Sequence, residues 1–342
     1  MRGIPKSDLD TAIAFPILPF RNGAVDLSAH RRNVDYLIRN CFLDGDRKRV
    51  IALGGSSLLH HLTREEQLEV ARATGEQAGT DAWYISGILP TPPRQAAWLV
   101  RQQLRSPRAP DAFLLLPLVG GYNPEGVCTE LAHFCQTLGN ETGAQFILYL
   151  RDTALRDGFC RLIRECEYVT GIKVGTSVDD VKLARDALGE DAPVMWGIGD
   201  ISTAAARRGA RGHTSGSALL LIRASDEINN AQRRGDFAAA EQIEAEIREF
   251  EELRFVKGRI YNYSLVVEAL KIAGFSDVDP GDGGPFNAPP PPEICERLVP
   301  IVERLRIYHS AATTEDEETG YTQSSDSVEE RHFRETRKNQ KQ

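Results

Sequence analysis

One lysine stands apart from the others in this sequence. Lys173 lies near the end of an apolar run of strand length, residues 168–174 (YVTGIKV), which is broken by Gly175. The chain has only eight lysines against thirty-three arginines, and the other lysines have polar or helical neighbours. Burial at a strand end disfavours the ammonium form, so the pKa of such an amine falls and the amine can attack a carbonyl to form a Schiff base. The alternative is an ordinary strand-end lysine whose ammonium reaches water along its flexible stem.

Several other predicted strands also end in residues with useful chemistry. Small and hydroxylated residues end two of them, where backbone N–H groups and hydroxyls can approach a carboxylate closely. A tyrosine and an arginine end a third, where a phenol can pass protons and a guanidinium can pair with an acid group. Each feature also occurs in ordinary turns and cores, so the combination carries the hypothesis. The candidate catalytic residues are Lys173 and Tyr149, and the candidate substrate-binding residues are Gly55, Ser56, Arg151, Thr214 and Ser215.

The composition favours a globular protein with a small-molecule partner. Apolar residues make up 41% of the 342 residues and charged residues 26%, which is enough to bury a large core. The net charge of -8 argues against a general nucleic-acid or acidic-membrane surface. No run approaches 18 apolar residues and the amino terminus resembles no secretion signal, so we expect a cytoplasmic protein that does not enter membranes.

The sequence contains no pattern that indicates a metal or cofactor site. The six cysteines are scattered without a CxxC spacing, which favours buried reduced thiols. His60 and His61 are adjacent and therefore point in different directions, and no third ligand follows at a suitable spacing. We interpret the two histidines as solvated or packing residues, and we predict neither a metal nor a cofactor.

Apolar runs of strand length alternate with amphipathic stretches of helical length through the first two thirds of the chain. The predicted strands are residues 12–18, 49–53, 83–87, 112–116, 145–150, 169–174, 194–197 and 212–215. Thr63 and Glu66 form a capping box that begins the helix after the second strand. Eight repeats with near-continuous apolar strands predict an α/β fold, a (β/α)8 TIM barrel whose active site lies at the carboxyl ends of the strands.

Beyond the barrel the pattern changes to long helices. We predict helices over residues 225–250, 253–273 and 294–309, with a Pro- and Gly-rich linker at 280–292. These helices predict a C-terminal helical annex over residues 225–310, which follows a catalytic barrel domain over residues 1–224. Residues 311–342 are polar, unperiodic and segregated in charge, which is typical of a disordered tail.

The order of the motifs resembles the dihydrodipicolinate synthase / N-acetylneuraminate lyase superfamily of class I aldolases and dehydratases. The resemblance covers residues 12–274, about three quarters of the chain, and any one of its motifs alone is weak. Its carriers are AFPILPF (14–20), NGAVD (22–26), ALGGSS (52–57), FLLLP (113–117), ILYLRD (147–152), GIKVGT (171–176) and GARGHTSGSA (209–218).

This resemblance implies a lyase that works through a Schiff base. Lys173 would form the imine with a 2-oxo acid such as pyruvate, Tyr149 would carry its protons, and Ser56 would hold the carboxylate through its hydroxyl and backbone N–H. Members of the superfamily usually assemble as dimers or tetramers, so a homo-oligomer is expected. Dehydration, aldol cleavage and condensation all start from the same imine, and the sequence leaves the choice among them open.

Departures from the superfamily pattern narrow the range of expected substrates. Gly55 stands where the family has a hydroxyl residue and Leu58 where it has a glutamate, while Leu118 and Val119 replace the two tyrosines of the synthase. These changes argue against a true dihydrodipicolinate synthase.

Three sequence features are more similar to the 5-dehydro-4-deoxyglucarate dehydratase branch. They are the double glycine at 54–55, AFPILPF (14–20) and YLRDTAL (149–155). In that branch the substrate would be a 2-oxo-3-deoxy sugar acid, with Arg151 a candidate for its distal carboxylate. That branch, however, has a lysine where Val267 stands. The alternative function is a barrel that binds a 2-oxo acid without efficient catalysis.

Overall fold

Eight parallel strands close into a barrel. In the computed structural model, which describes residues 3–309, the sheet closes because the first strand pairs with both the last strand and the second strand of the barrel. The barrel strands are β1 (Ala12–Ala14), β4 (Arg49–Ala52), β5 (Ala82–Ile88), β6 (Ala112–Leu115), β7 (Phe146–Leu150), β8 (Val169–Val174), β9 (Val194–Trp196) and β10 (His213–Ser215). A separate hairpin consists of β2 (Phe20–Arg21) and β3 (Ala24–Val25). The predicted (β/α)8 TIM barrel is therefore confirmed.

Helices surround the barrel and continue beyond it. They are α1 (Leu27–Arg39), α2 (Arg64–Ala78), α3 (Pro93–Leu104), α4 (Pro124–Thr142), α5 (Arg156–Glu165), α6 (Val178–Leu188), α7 (Thr203–Ala206), α8 (Ala218–Arg233), α9 (Phe237–Arg259), α10 (Ser264–Ala273) and α11 (Pro292–Leu305). The predicted capping box is present, since the Thr63 hydroxyl accepts from the Glu66 N–H and the Thr63 N–H donates to Glu66 Oε2 at 2.8 Å. None of the helices within residues 3–309 has the length and apolarity needed to cross a bilayer.

Two predicted helices are wrong in their extent. The predicted helix over residues 225–250 is in fact two helices, because α8 ends at Arg233 and Gly235 adopts a φ of 75° that turns the chain. Asp236 then begins α9 by accepting a hydrogen bond from the Ala239 N–H. The predicted helix over residues 253–273 is also two pieces, the end of α9 and the whole of α10.

Helix α8 runs across the predicted boundary between the barrel and the annex at residues 224 and 225. It packs on the barrel, and its buried Asp226 forms an ion pair with the equally buried Arg49 of β4, with Arg49 Nη1 and Nη2 each 2.6 Å from a carboxylate oxygen. Arg49 also donates to the backbone oxygen of Leu37 in α1. The pair therefore joins a barrel strand to two of the surrounding helices. The proposed tail, residues 311–342, lies outside the described residues.

Helix α9 of the annex is fixed to the loop that follows β9. Its buried Glu244 accepts hydrogen bonds from the backbone N–H groups of Ser202 and Thr203, at 2.7 and 2.6 Å, and from the Thr203 hydroxyl at 2.7 Å. Ser202 and Thr203 begin α7, so the Glu244 carboxylate satisfies N–H groups that have no partner within that helix. This contact fixes the first half of α9 against the barrel loop that precedes α7.

Candidate active site

A cavity of about 380 Å³ opens at the carboxyl ends of the barrel strands. Residues from strand ends, from the following loops and from the annex line it. Most of the predicted site residues meet here, namely Gly55, Ser56, Tyr149, Arg151, Lys173 and Thr214. The cavity therefore gathers residues that are far apart in sequence at the edge where a TIM barrel presents its chemistry.

Lys173 is buried between two aromatic rings at the inner end of the cavity. Its Nζ atom lies 4.4 Å from the centre of the Phe15 ring and 4.2 Å from the centre of the Tyr149 ring. A side chain at Gly197 would place its Cβ 2.9 Å from Lys173 Cε, so this position makes room for the lysine stem. Burial lowers the pKa of the Lys173 ammonium, and the positive charge of Arg151 lowers it further, against an opposing effect of Tyr149. The environment thus favours the nucleophilic amine.

Tyr149 lies beside Lys173 on the neighbouring strand, because the two residues pair in the register of β7 and β8. Burial raises the pKa of its phenol, but the positive charges of Lys173, Arg151 and Arg259 outweigh this effect and leave the pKa below its ordinary value. A phenol that gives up its proton readily next to a buried amine is suited to carry protons to and from that amine.

The turn after β4 presents a hydroxyl to the cavity. Ser56 lines the cavity, whereas the hydroxyl of Ser57 donates to the backbone oxygen of Pro16 and so serves the fold. A side chain at Gly54 would place its Cβ 2.5 Å from Phe15 Cε1, so a glycine is needed for this turn to approach the aromatic ring. Gly55 has no atom within 4 Å of the corresponding position, which leaves open space where the resemblance implies a second hydroxyl.

Strand β10 separates two predicted binding residues. Thr214 lines the cavity, but Ser215 does not, because successive side chains of a strand point to opposite faces. The Ser215 hydroxyl donates to Asp200 Oδ2 at 2.9 Å and accepts from the Ser225 hydroxyl of α8 at 3.0 Å. Ser215 therefore belongs to a buried polar network between the barrel and α8, and its predicted contact with a substrate in this cavity is not supported by its position.

The annex supplies cavity residues that the sequence analysis missed, of which Arg254, Arg259 and Asn262 are polar. Arg254 is only 1% exposed, pairs with Glu251, and donates to Ser217 Oγ at 3.1 Å and to Asn262 Oδ1 at 2.8 Å. Its charge is thus balanced within the annex. No strand-end pattern marks these residues, because their place in the cavity depends on how α9 lies over the barrel.

Arg151 reaches the cavity from a barrel loop and Arg259 from the annex. Arg151 follows β7 and its guanidinium carbon lies 5.9 Å from the centre of the Tyr149 ring. Arg259 ends α9, and its Nη2 lies 3.5 Å from the backbone oxygen of Gly175, the residue after β8. Burial lowers the pKa of the Arg259 guanidinium, and the like charge of Arg151 lowers it further. Neither arginine has a carboxylate partner within residues 3–309.

The positions that depart from the superfamily pattern are occupied by apolar side chains. Leu58 is buried with a φ of 49°, and Val267 is buried in α10. Val119 is 80% exposed at the mouth of the cavity. His60, which the sequence analysis interpreted as a solvated or packing residue, lines the cavity, and burial lowers the pKa of its imidazole. Within residues 3–309 no three His, Cys, Asp or Glu side chains converge on a point that could hold a metal ion.

Comparisons with known proteins identify the family of the chain. The dihydrodipicolinate synthetase family matches residues 8–280 of the chain. The chain belongs to this family. A relative in the family, the 4-hydroxy-tetrahydrodipicolinate synthase of Psychrobacter sp. (strain PRwf-1), is 23% identical over 260 residues, which cover 74% of this chain and 82% of the relative. Members of the family are lyases of the class I aldolase type.

Solved structures share the fold. The dihydrodipicolinate synthase from Bacillus clausii superposes with a TM-score of 0.75 at 21% identity, over 86% of this chain and 97% of that one. The chloride-inhibited synthase from Acinetobacter baumannii, complexed with pyruvate, gives a TM-score of 0.73 at 21% identity, over 86% and 98% of the two chains. At these identities the likeness shows the barrel with its C-terminal helices, and the chemistry of this chain rests on its own residues.

Proposed function

We propose that the protein is a Schiff-base-forming lyase that acts on a 2-oxo acid through Lys173. The observation that carries the proposal is the buried amine of Lys173, held beside the Tyr149 phenol at the inner end of a cavity with no carboxylate among its described lining residues. The pairing of an amine that loses its proton readily with an adjacent proton carrier is what imine chemistry requires. Family membership supports the same class of reaction.

The reaction begins when the neutral amine of Lys173 attacks the 2-oxo carbon. Tyr149 passes protons as the carbinolamine loses water and becomes an imine. Gly55 and Ser56 lie where backbone N–H groups and a hydroxyl can hold the carboxylate next to that carbon, and Thr214 completes this side of the cavity. The protonated imine then accepts electrons from the neighbouring carbon, which loses a proton or breaks its bond to the next carbon.

The substrate we favour is pyruvate or a 2-oxo-3-deoxy sugar acid, as in the 5-dehydro-4-deoxyglucarate dehydratase branch. Gly55 in the carboxylate turn and Arg151 at the mouth of the cavity support this choice. In a dehydration, loss of a proton from C3 of the imine gives an enamine, which expels the C4 hydroxyl with a proton as water.

The named activity of the Psychrobacter relative, 4-hydroxy-tetrahydrodipicolinate synthase, is the less favoured reaction for this chain. Leu118 and Val119 replace the two tyrosines that the synthase carries after the fourth barrel strand, so the hydroxyl relay of that enzyme has no counterpart at these positions. We therefore expect this protein to convert the imine to a product other than that of the synthase.

Borohydride trapping with pyruvate tests the proposal. We expect one pyruvate to be trapped on Lys173 as a secondary amine, with a mass gain of pyruvic acid minus one water plus two hydrogens, located by peptide mapping. Lys173→Ala should abolish the adduct, while Lys182→Ala, which removes an exposed lysine of α6, should leave it unchanged. A folded wild-type protein that forms no adduct, or a Lys173→Ala variant that still forms one, contradicts the assignment.

A barrel that binds 2-oxo acids without catalysis is the second candidate, since hydroxyl, acid and tyrosine positions of the family are replaced here. The two candidates differ in whether the imine becomes an enamine. If the protein is an enzyme, the methyl protons of pyruvate should exchange with deuterium when the two are incubated in deuterium oxide. A protein that only binds pyruvate should cause no exchange.

A further inference from the structure

Within the described residues, the cavity is lined by positively charged side chains without negatively charged carboxylates. Four cationic side chains line it, and no aspartate or glutamate within residues 3–309 does. They are Lys173, Arg151, Arg254 and Arg259. Since Glu251 neutralises Arg254 from behind, and Lys173 is disposed to lose its proton, the unbalanced charge lies on Arg151 and Arg259.

These two guanidinium groups meet at one place, around Gly175. A side chain at Gly175 would place its Cβ 3.0 Å from Arg151 Cδ and 3.1 Å from the Tyr149 hydroxyl, while the Gly175 backbone oxygen lies 3.5 Å from Arg259 Nη2. The absence of a side chain at Gly175 thus lets both arginines approach the same phenol. Both guanidinium groups interact with the Tyr149 phenol, which can balance at most one of the two positive charges. The like charges therefore still repel each other, and a bound anion reduces that repulsion.

The backbone is shaped to deliver Arg259 to this place. Helix α9 breaks at Val256, and Lys257, Gly258 and Arg259 follow with φ values of 46°, 78° and 75°. Positive φ is uncommon for residues other than glycine and costs free energy, so Lys257 and Arg259, on either side of Gly258, mark a conformation that the surrounding structure enforces. The turn places Arg259 and Gly258 in the cavity lining, while Lys257 remains exposed outside it.

We infer that Arg151 and Arg259 together bind a second anionic group of the substrate, a distal carboxylate or phosphate, so that the 2-oxo acid bound at Lys173 is at least a dianion. This inference rests on the proposed function for the position of the 2-oxo group. It adds Arg259, from the annex, as a residue that determines specificity. The first carboxylate lies at Ser56, and the second anion lies toward the mouth of the cavity, where Arg151 is exposed.

Direct calorimetric titration tests the pair of arginines. The ligands are 2-oxoglutarate and 2-oxoadipate, compared with 2-oxopentanoate and 2-oxohexanoate, which have the same chain lengths without the distal carboxylate. We expect at least one diacid to bind about 10- to 100-fold more tightly than its matched monoacid, the worth of a hydrogen-bonded charge. The phosphonate 2-oxo-4-phosphonobutanoate, compared with 2-oxoglutarate, distinguishes a phosphate from a carboxylate.

Variants locate the preference. Arg259→Gln and Arg151→Gln should each reduce the ratio of monoacid to diacid dissociation constants severalfold or more, because each removes one ligand of the distal anion. Lys257→Gln is the matched control, since it removes a positive charge from the same turn without touching the cavity, and it should keep the ratio. Equal binding of diacids, phosphonate and monoacids, or a preference that survives Arg259→Gln, overturns the inference.

Pyruvate trapping in parallel separates this inference from the proposed function. Trapping on Lys173 without any preference for a dianion overturns the second anion site and leaves the imine chemistry in place. A dianion preference that Arg259→Gln removes, in a protein that traps no pyruvate, supports the anion site and overturns the imine assignment.

Discussion

At the scale of single residues, the ionisation of Lys173 is linked to that of Tyr149. Burial drives the amine toward its neutral form, and the surrounding cations drive the phenol toward its ionised form. The ionised phenol opposes the lowering of the Lys173 pKa because it stabilises the ammonium, whereas the ammonium promotes the lowering of the Tyr149 pKa because it stabilises the ionised phenol. The two protons therefore belong to the pair, and a titration will report two apparent values for the pair.

This linkage predicts how imine formation depends on pH. The rate should rise with pH as the ammonium of Lys173 loses its proton, with an inflection below 10.5, the ordinary pKa of a lysine. Arg151→Gln should move the inflection upward, because it removes a positive charge that lowers the pKa of Lys173. The measurement is the initial rate of borohydride-trapped adduct between pH 6 and pH 11. An inflection at or above 10.5 in the wild-type protein contradicts the argument.

The role of Tyr149 predicts a second effect. Tyr149→Phe keeps the ring against Lys173 and removes the proton carrier, so turnover should fall by about 10² to 10⁴ while a slow adduct still forms. Methyl-proton exchange of pyruvate gives the rate. Tyr168→Phe, which removes a half-buried phenol that precedes β8 and does not line the cavity, is the control. Equal rates in wild type and Tyr149→Phe would make Tyr149 a packing residue.

Residue types at strand ends predicted six of the residues that line this cavity, but side-chain direction limited the prediction. Thr214 and Ser215 are adjacent hydroxyl residues of β10, and only one of two successive strand residues can face the cavity. The alternation was available in the sequence, and it would have excluded one of the two. Arg259 gave no such signal, because its position depends on a turn that ends a helix far along the chain.

At the scale of secondary-structure elements, a buried ion pair holds α8 against the barrel. Arg49→Met leaves the Asp226 carboxylate buried without its partner and should lower the free energy of unfolding by about 3–5 kcal/mol. The double variant Arg49→Met with Asp226→Leu should recover most of that loss, because it removes both buried charges. Chemical denaturation measures each difference.

A control for this pair lies on the same helix. Arg223 and Glu227 of α8 form an ion pair whose side chains are each 36% exposed, so Arg223→Met should cost less than about 1 kcal/mol. If Arg49→Met costs no more than Arg223→Met, the buried pair does not hold α8 in place.

Apolar periodicity predicted the barrel strands because each is buried on both faces and reads as a short apolar run. The same reasoning joined α8 to α9, since charged amphipathic residues continue on both sides of the break. The local signals for the break were present, a glycine that ends one helix and Asp236 that caps the next. The break inside α9 at Val256 had no comparable signal before its glycine, and the packing of the annex determines it.

At the scale of the whole molecule, the assembly state stays a prediction. We expect a dimer or tetramer, with a solution mass two or four times that of the chain, measured by sedimentation equilibrium at several concentrations. Large apolar side chains are exposed in residues 3–309, among them Val119 at the cavity mouth and Trp98 of α3, and contacts between copies would cover some of them. A monomer at every concentration would contradict the expectation.

The arrangement of barrel and annex followed from the order of elements along the chain, since eight strand–helix repeats leave few other folds. How the annex lies on the barrel did not follow, because it depends on buried polar contacts between distant residues. Glu244 of α9 binds the beginning of α7, and Glu251 accepts from the Asp200 N–H at 3.2 Å. The sequence around Glu244 and Glu251 resembles that around the solvent-exposed glutamates of α9, so it does not mark these two residues as buried.

The candidate active site draws on two parts of the fold, the barrel strands and the turn at residues 256–259 in the annex. Lys173 and Tyr149, the proposed imine-forming lysine and its proposed proton carrier, belong to neighbouring barrel strands. Arg259 belongs to a short turn at the end of α9, outside the barrel strands. If both proposals hold, a change in the annex would alter which acids the protein accepts and would leave the covalent chemistry of the barrel in place.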